Sequence, residues 1–294
     1  MSTMYHPEQF WLYPAGREAK LSLFRSLAEQ PVVTKESVVT SLGSCFADHI
    51  RMFLKDRGYN YVVAEPNDSG SSANWGRVYN PVSLRQILDY CHDPHWRPQE
   101  RWWSDAQGRT FDPYRAIAPY PDQQAAEDDF QLHRALARQV FEKAEVVILT
   151  YGLAEVWESA LDGSVFQARP VIFDAARHRF RVLEYPECLQ AIAAACASIR
   201  RINPGSTIIL TVSPVPLRAT FRPDVTPVTA NAYSKAVLLA AVQTAVRQME
   251  NAYYFPSYEI VTECVAEPFR DGGGVATATV DLVMSLFERQ FVRL

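Results

Sequence analysis

Three short apolar runs constrain the fold of this 294-residue chain more than any other feature. They lie at residues 37–42 (SVVTSL), 145–151 (EVVILTY) and 207–212 (TIILTV), and a segment with helical spacing follows each of them. Continuous β-branched runs of this length are typical of strands that are buried on both faces, since a half-exposed strand alternates apolar and polar residues. We therefore predict an α/β fold in which helices cover both faces of a mostly parallel sheet.

The rest of the pattern completes a series of alternating strands and helices. Strands are also predicted at 59–63 and 253–255, and helices at 45–57, 81–90, 122–143, 186–201, 231–249 and 276–291. Residues 157–181 contain Asp162 and Gly163 between strand-like pieces, which indicates a β-hairpin insertion. The long connections at 65–80 and 91–120 are predicted to be binding loops. We expect one domain over residues 35–294, with residues 1–34 packed on it as an extension.

Composition excludes several classes of protein. With 48% hydrophobic and 21% charged residues the chain has the balance of a folded protein, and its net charge of −4 offers no general attraction for nucleic acid. No apolar run approaches the ~20 residues that span a bilayer, which predicts a cytoplasmic protein without a membrane span. The five cysteines include no C-x-x-C pair, so we expect free thiols, no metal and no cofactor. Composition does not indicate the oligomeric state.

The strongest candidate for chemistry stands where the first apolar run ends. Gly43, Ser44 and Cys45 form a short turn directly before a helical segment. A side chain on such a turn is exposed at the carboxyl edge of the sheet, where the N-terminus of the helix lowers the pKa of a thiol. Cys45 is therefore a candidate nucleophile. The alternative interpretation is that Ser44 caps the helix and Cys45 packs beneath it.

The same turn carries a resemblance to a known family. Residues 42–47 (LGSCFA) resemble the motif that names the GSCFA family, which is similar to the SGNH or GDSL hydrolases and acyltransferases. Further family blocks are resembled, in order, by residues 74–81 (NWGRVYNP), 152–157 (GLAEVW), 212–216 (VSPVP), 231–235 (NAYSK) and 254–259 (YFPSYE). Because the blocks are ordered and well separated, the resemblance extends over nearly the whole chain.

The resemblance implies a flavodoxin-like three-layer α/β/α sandwich and an esterase or acyltransferase that forms an acyl-enzyme intermediate on Cys45. It also implies that backbone N–H groups stabilise the tetrahedral oxyanion. The catalytic residues expected on this basis are Cys45, Ser44, Gly76, Glu155 and Asp271. The expected substrate-binding residues are Asn74, Trp157, Ser213, Tyr258 and Glu259. The partner implied is a small-molecule acyl donor or an acylated carbohydrate.

Two positions depart from the pattern that the resemblance suggests. Ala154 stands where the SGNH group has an asparagine that donates to the oxyanion, and Gly274 stands where a catalytic histidine is expected, three residues after Asp271. The family's base is therefore absent from its expected place, because glycine has no group that accepts a proton. Three hypotheses follow from that absence.

The first hypothesis is that Cys45 attacks without a histidine base, since a thiol is partly ionised near neutral pH. In the second, another histidine replaces the missing one, and His49 lies four residues after Cys45 on the same predicted helix face. His92, His95 and His133 are expected at the surface. The third hypothesis is a catalytically reduced relative that binds a ligand without turnover.

Overall fold

The computed structural model describes residues 16–65, 75–93, 95, 97–115, 117–271 and 273–293. Helices and strands follow one another in the order α1 (Arg17–Arg25), β1 (Val39–Gly43), α2 (Cys45–Asp56), α3 (Pro81–His92), β2 (Trp103–Ser104), β3 (Thr110–Phe111), α4 (Gln123–Lys143), β4 (Val146–Tyr151), β5 (Glu155–Ser159), β6 (His178–Val182), α5 (Tyr185–Ile202), β7 (Thr207–Val212), α6 (Pro227–Arg247), β8 (Ala252–Phe255), α7 (Ser257–Cys264) and α8 (Thr277–Phe291). The alternation of strands and helices that the sequence predicts is confirmed.

The central sheet has four parallel strands in the order β1-β4-β7-β8. The register places Leu42 beside Leu149 and Leu149 beside Leu210, so the three apolar runs of the sequence are neighbours. Every residue of β1 and β4 is buried, as expected for strands that are covered on both faces. Their carboxyl ends therefore meet at one edge of the sheet.

Two apolar clusters cover the two faces of the sheet and make the sandwich three layers deep. On one face Leu42, Leu149 and Leu210 pack in a cluster with side chains of α3, α4, α5 and α6. On the other face Val39, Ile148 and Ile209 pack in a cluster with side chains of α2, α7 and α8. Successive strand residues point to opposite faces, so one strand serves both clusters. The predicted α/β/α sandwich with a parallel sheet is confirmed.

Local capping signals explain where several helices begin. The side chains of Ser44, Asn80, Asp122 and Thr226 each accept a backbone N–H of the first turn of their helix. Proline follows Asn80 and Thr226 in the first turn, where its missing N–H costs no hydrogen bond. Helix α6 therefore begins at Pro227 and not at residue 231 as predicted, because the cap and the proline lie outside the apolar periodicity.

Other local predictions are wrong in detail. Residues 59–63 run beside β1 but form only one isolated parallel bridge, between Val39 and Tyr61, so the predicted second strand is not a regular strand. Helices α1 and α7 and the small β2–β3 pair were not predicted. The predicted hairpin insertion is present as the antiparallel pair β5–β6.

Part of the N-terminal segment packs against the final helices. Leu21 of α1 is buried in the same cluster as α8, and the Lys20 ammonium lies 2.5 Å from Glu263 of α7. The Gln30 N–H donates to the carbonyl of Gln290 at 2.6 Å. Within the described ranges no helix is long and apolar enough to cross a membrane.

Candidate functional site

The turn between β1 and α2 is fixed by close backbone contact with β4. A Cβ atom at Gly43, where φ is +140°, would lie 2.0 Å from the carbonyl oxygen of Thr150, so no other residue fits there. The Ser44 N–H donates to the carbonyl oxygen of Thr150 at 3.0 Å and to its hydroxyl at 2.8 Å. Ser44 is buried and its hydroxyl accepts the N–H of Phe46, so this side chain shapes the turn.

Cys45 is half-buried and lines a cavity of about 710 Å³ at the carboxyl edge of the sheet. The loops after β4 and β7 supply one side of the cavity through Gly152 and Ser213, and the first turns of α2 supply another. The cavity is open to solvent. Ser44 caps α2, as the alternative interpretation expects, whereas Cys45 lines the cavity.

The segment around Gly76 is held beside the end of β1. The Val78 N–H donates to the carbonyl of Gly43 at 2.6 Å, and the carbonyl of Tyr79 accepts from Gly152 N–H at 2.8 Å. Gly76 itself is buried and has a φ of +73°, a conformation that favours glycine. Backbone hydrogen bonds thus join the first block to the second and the second to the third.

Gln167 clamps the turn that contains Gly76, which sequence reasoning missed. Its amide nitrogen donates to the carbonyl oxygens of Trp75 and Arg77, each at 2.8 Å, from the insertion between β5 and β6. The two carbonyls flank Gly76 in the sequence, so the clamp restrains the peptide that carries the Gly76 N–H. The pairing spans about 90 residues, and no local pattern indicates it.

Residues 231–235 of α6 form hydrogen bonds to the loops that follow β4 and β7. Asn231 accepts the Leu217 N–H at 3.0 Å, and the Ser234 hydroxyl accepts the Ala154 N–H at 3.2 Å. The Lys235 ammonium donates to the carbonyl oxygens of Gly152 at 2.9 Å, Ser213 at 2.8 Å and Val215 at 2.9 Å. All three of these carbonyls belong to residues that line the Cys45 cavity.

Lys235 is a buried cation without a carboxylate partner in the described residues. Burial lowers the pKa of Lys235 to about 7, and the charge of Cys45 acts in the opposite direction. The three carbonyl contacts also favour the ammonium, because a neutral amine has only two protons to donate. Lys235 therefore places a positive charge behind the wall of the cavity at neutral pH and below.

The Cys45 thiol experiences opposing effects. Burial raises the pKa of Cys45 above its ordinary value of 9.0, whereas the charges of Arg77 and Lys235 lower it. The expectation that the helix N-terminus leaves this thiol with a lowered pKa is wrong, because desolvation of the thiolate is the larger effect. The two cations reduce that penalty without removing it.

The structure brings no histidine into hydrogen-bonding contact with the Cys45 sulfur among the described residues. His49 lines the same cavity, and burial lowers the pKa of its imidazole. His133 is fully buried and lies 2.6 Å from Glu65, so the expectation that it lies at the surface is wrong. A Cβ atom at Gly274 would lie 3.3 Å from a terminal nitrogen of Arg270. A guanidinium therefore occupies the space into which a side chain at 274 would project.

The structure separates Glu155 and Trp157 from the Cys45 cavity. Glu155 accepts the Thr220 hydroxyl at 2.6 Å and thereby holds the loop after β7. Trp157 packs edge-on against Phe221, with ring centroids 5.1 Å apart, in a neighbouring apolar pocket of about 170 Å³ that Glu155 also lines. Tyr79 lines both cavities, so the two are neighbours.

The remaining predicted residues are distributed around the same edge of the sheet. Ser213 lines the cavity, and the Tyr258 ring lies 5.9 Å from the Lys235 ammonium. The carboxylate of Glu259 accepts the Tyr254 hydroxyl at 2.7 Å and does not line the Cys45 cavity. Asp271 is exposed on the loop before α8 and is not among the lining residues. Asn74 lies outside the described residues.

The described residues contain no group of three or more histidine, cysteine, aspartate or glutamate side chains arranged to hold a metal ion. The side chains in and behind the cavity offer a thiol, a buried ammonium, an imidazole and several guanidinium groups. A thiol that faces an open cavity can attack an electrophilic carbon, and the surrounding cations favour its ionised form.

Known sequences and solved structures resemble the chain only distantly. No curated protein sequence matches the chain. Two solved structures are similar to it, each at 12% identity. One is a carbohydrate esterase family 3 from Talaromyces cellulolyticus, with a TM-score of 0.37 over 85% of this chain and 94% of that chain. The other is a family two carbohydrate esterase from Clostridium thermocellum in complex with cellohexaose, with a TM-score of 0.34 over 89% of this chain and 64% of that chain.

The model of the GSCFA family matches residues 38–287. This range begins just before β1 and ends within α8, so it contains the whole central sheet and every wall of the Cys45 cavity. The chain belongs to the GSCFA family.

Proposed function

We propose that the chain is an esterase or acyltransferase in which Cys45 carries the acyl group as a thioester. The observation that carries the proposal is the placement of a half-buried thiol at the first residue of α2, in an open cavity, within the field of the buried Lys235 ammonium. Buried cations are usually paired with carboxylates. A buried cation held only by neutral carbonyls leaves its charge available to an anion in the cavity.

The reaction has two steps, in each of which a sulfur or oxygen nucleophile attacks the acyl carbonyl carbon. The Cys45 thiol first loses its proton to water, and the thiolate then forms a carbon–sulfur bond while the ester or thioester bond of the donor breaks. The leaving alkoxide or thiolate takes a proton from water. An incoming water or acceptor hydroxyl next attacks the acyl-Cys45 carbonyl and gives its proton to solvent, while the carbon–sulfur bond breaks and releases the Cys45 thiolate.

Two backbone groups are proposed to bind the oxyanion that develops in each step. The Cys45 N–H belongs to the first turn of α2, where amide groups have no partner within the helix, and the Gly76 N–H belongs to the turn that Gln167 clamps. Ala154 contributes no third donor, because its N–H is bonded to Ser234. The charge of Lys235 compensates in part for that missing donor.

The pocket beside the cavity suits the apolar part of a substrate. Its volume of about 170 Å³ and its aromatic walls, Trp157 and Phe221 among them, match a short acyl chain. A small acylated metabolite or carbohydrate is the substrate class that we propose. We also propose a cytoplasmic location, since the five cysteines are all free thiols.

A second candidate function is ligand binding without turnover. The observation that favours it is the raised pKa of Cys45 together with the lack of a histidine bonded to its sulfur within the described residues. On this hypothesis the cavity binds an acylated ligand and the thiol stays protonated.

The two functions differ in whether an acyl adduct forms. Intact-protein mass spectrometry after mixing with p-nitrophenyl acetate, p-nitrophenyl butyrate and a short acyl thioester, between about pH 6 and pH 10, is expected to show one acyl group on the peptide that contains Cys45. Cys45→Ala should abolish the adduct, and Cys264→Ala, which removes a buried thiol of α7, should retain it. If no donor gives an adduct or releases p-nitrophenol, the ligand-binding function replaces the enzymatic one.

A further inference from the structure

The Cys45 cavity has the opposite charge to the protein as a whole. The chain has a net charge of −4, yet the charged side chains that line this cavity are Arg51, Arg77, Arg218, Arg270 and a single carboxylate, Asp48. Walls of one sign in a concave site concentrate the electrostatic potential and raise the local concentration of ions of opposite sign. The cavity is therefore a positive site in an acidic protein.

Asp48 does not neutralise this charge. Its carboxylate accepts the Nε of Arg77 at 3.3 Å, so it is already shared with one guanidinium. No carboxylate of the described residues forms an ion pair with Arg218 or Arg270, and both of these side chains are exposed. Two guanidinium groups thus line the cavity with their charge uncompensated, in addition to the buried charge of Lys235.

The position of Arg270 depends on the bare backbone at Gly274. A Cβ atom there would lie 3.3 Å from one terminal nitrogen of Arg270, 3.7 Å from its Nε and 3.8 Å from its central carbon. The edge of the guanidinium that carries Nε and this terminal nitrogen therefore lies against the glycine that follows Arg270 by four residues. Burial lowers the pKa of His49, which lines the same cavity, and the charge of Arg270 acts in the same direction.

We propose that this cavity selects substrates that carry an anionic group, a carboxylate or a phosphate, and that Arg218 and Arg270 bind that group. The preference among substrates rests on the proposed acyl transfer at Cys45, whereas the binding of an anion by the two arginines does not. A guanidinium presents paired N–H donors that match the oxygen atoms of either anion. The anion can belong to the acyl chain or to the leaving group, since both must reach the same cavity.

The first test measures anion selectivity without turnover. Iodoacetate and iodoacetamide alkylate the same thiolate and differ in charge, so the ratio of their rates does not depend on the pKa of Cys45. We expect the iodoacetate-to-iodoacetamide ratio at Cys45 to exceed that of the neutral model thiol N-acetylcysteine amide by at least about tenfold at low salt. The ratio should fall toward the model value as the salt concentration rises.

Substitution of the two arginines tests whether they cause the selectivity. Arg218→Gln and Arg270→Gln should each lower the ratio several-fold, and the double variant should lower it further than either single variant, with the remainder due to Arg51, Arg77 and Lys235. The matched control is Arg289→Gln, which removes the same charge from an exposed position on α8, at the opposite edge of the sheet. A ratio equal to that of the model thiol, or one that responds equally to all three substitutions, would overturn the inference.

A second comparison identifies the anion. If the acyl chain carries it, mono-p-nitrophenyl glutarate should react with a higher kcat/KM than p-nitrophenyl valerate, and the double variant should reduce the difference. If the leaving group carries it, acetyl-coenzyme A should be preferred in the same way over S-acetyl-N-acetylcysteamine. Equal rates within both pairs would contradict the inference even if acyl transfer occurs, whereas a raised alkylation ratio without any acyl transfer would contradict only the proposed function.

Discussion

Two side chains of opposite charge are equally buried in this protein and are compensated in different ways. Glu100 and Lys235 are each 1% exposed. Glu100 accepts the Trp103 Nε1 at 3.0 Å and the Ser159 hydroxyl at 3.0 Å, and it lies 2.8 Å from His178 Nε2. Lys235 donates only to three neutral carbonyl groups.

The difference separates a structural charge from a reactive one. Around Glu100 the guanidinium of Arg177, 3.2 Å away, adds a positive charge, so the field of the carboxylate is cancelled where it arises. The charge of Lys235 is hydrogen-bonded but not cancelled, and Cys45 is the only titratable group within the described residues that modifies the pKa of this lysine. In this protein the buried charge that can act on the candidate nucleophile is the one whose partners do not compensate it.

Removing Glu100 is expected to have the largest effect, and on stability. Glu100→Ala leaves the buried groups of Trp103, Ser159 and His178 without their partner, which should lower the free energy of unfolding by about 3–5 kcal/mol. Urea denaturation measures this change. The control is Glu142→Ala, which removes an exposed carboxylate paired with Arg138 and should cost below about 1 kcal/mol.

The comparison also requires that Glu100→Ala leave the cavity intact. Below its unfolding transition the variant should alkylate at Cys45 with the wild-type pH dependence, since the field of Glu100 is cancelled locally. If Glu100→Ala lowers the free energy of unfolding by under about 1 kcal/mol, or shifts the pH dependence of Cys45 alkylation, then Glu100 and Lys235 do not differ in the way proposed.

Removing the charge of Lys235 should affect reactivity next most strongly. In Lys235→Met the thiolate of Cys45 loses a favourable charge in the range where the lysine is protonated, so the lower part of the alkylation profile should shift to higher pH and acylation at neutral pH should fall by about tenfold. The pH dependence of iodoacetamide alkylation, mapped to the Cys45 peptide, measures the shift.

Lys143→Met is the matched control for Lys235→Met, because it makes the same substitution at an exposed position in the last turn of α4. It should leave the alkylation profile unchanged. Circular dichroism should establish that Lys235→Met is folded, since three buried carbonyls lose their donor. If Lys235→Met is folded and its alkylation has the wild-type pH dependence, then the charge of Lys235 does not affect the Cys45 thiol.

A neutral residue tests whether geometry acts independently of charge. Gln167→Leu removes the clamp on the carbonyls of Trp75 and Arg77, which should loosen the Gly76 N–H and lower acyl transfer by about tenfold, less than the ~10²–10³ expected for loss of an oxyanion donor itself. The pKa of Cys45 should not change. Steady-state acyl transfer and alkylation of the same protein separate the two effects.

Gln124→Leu, on the exposed side of α4, is a suitable control for Gln167→Leu because its amide bonds only to Asp128. Acyl transfer should be unaffected in that variant. If Gln167→Leu changes the pH dependence of Cys45 alkylation as well as the rate of acyl transfer, then Gln167 also affects the pKa of the thiol. Geometry and charge would then not act independently.

Much of the fold follows from local pattern, whereas the electrostatics of the site do not. The strands around Leu42, Leu149 and Leu210 were predictable because each is a continuous apolar run, and the turn at Gly43 was predictable because it ends one of them. The strand prediction for residues 59–63 was wrong because the aromatic and β-branched composition favours a strand, whereas only one bridge to β1 forms.

Lys235 and Gln167 were missed because their partners lie far away in the sequence. Lys235 binds carbonyls of loops that follow two different strands, and Gln167 binds a turn about 90 residues before it. One signal could have indicated Lys235: it is spaced three and seven residues before Leu238 and Val242, on the buried face of α6. A lysine on such a face requires internal acceptors.

The smallest expected effect concerns the shape of the titration of Cys45. Burial raises the pKa of this thiol above 9.0, so alkylation should increase with pH through the alkaline range. Burial lowers the pKa of Lys235 to about 7, so the ammonium is progressively lost over that same range, and each loss makes the thiolate less favourable. The wild-type profile should therefore rise less steeply than the titration of a single isolated thiol.

Lys235→Met provides the comparison that isolates this coupling. At neutral pH the alkylation rate of Cys45 should be lower in Lys235→Met than in the wild type, and it should rise with pH as steeply as the titration of one isolated thiol. The rates of the two proteins should become equal at high pH, where wild-type Lys235 is neutral. Pseudo-first-order alkylation rates measured between about pH 6 and pH 10 resolve a difference of a few-fold. Parallel curves would mean that the three carbonyls keep Lys235 charged throughout this range, which would make its uncancelled charge a permanent feature of the cavity.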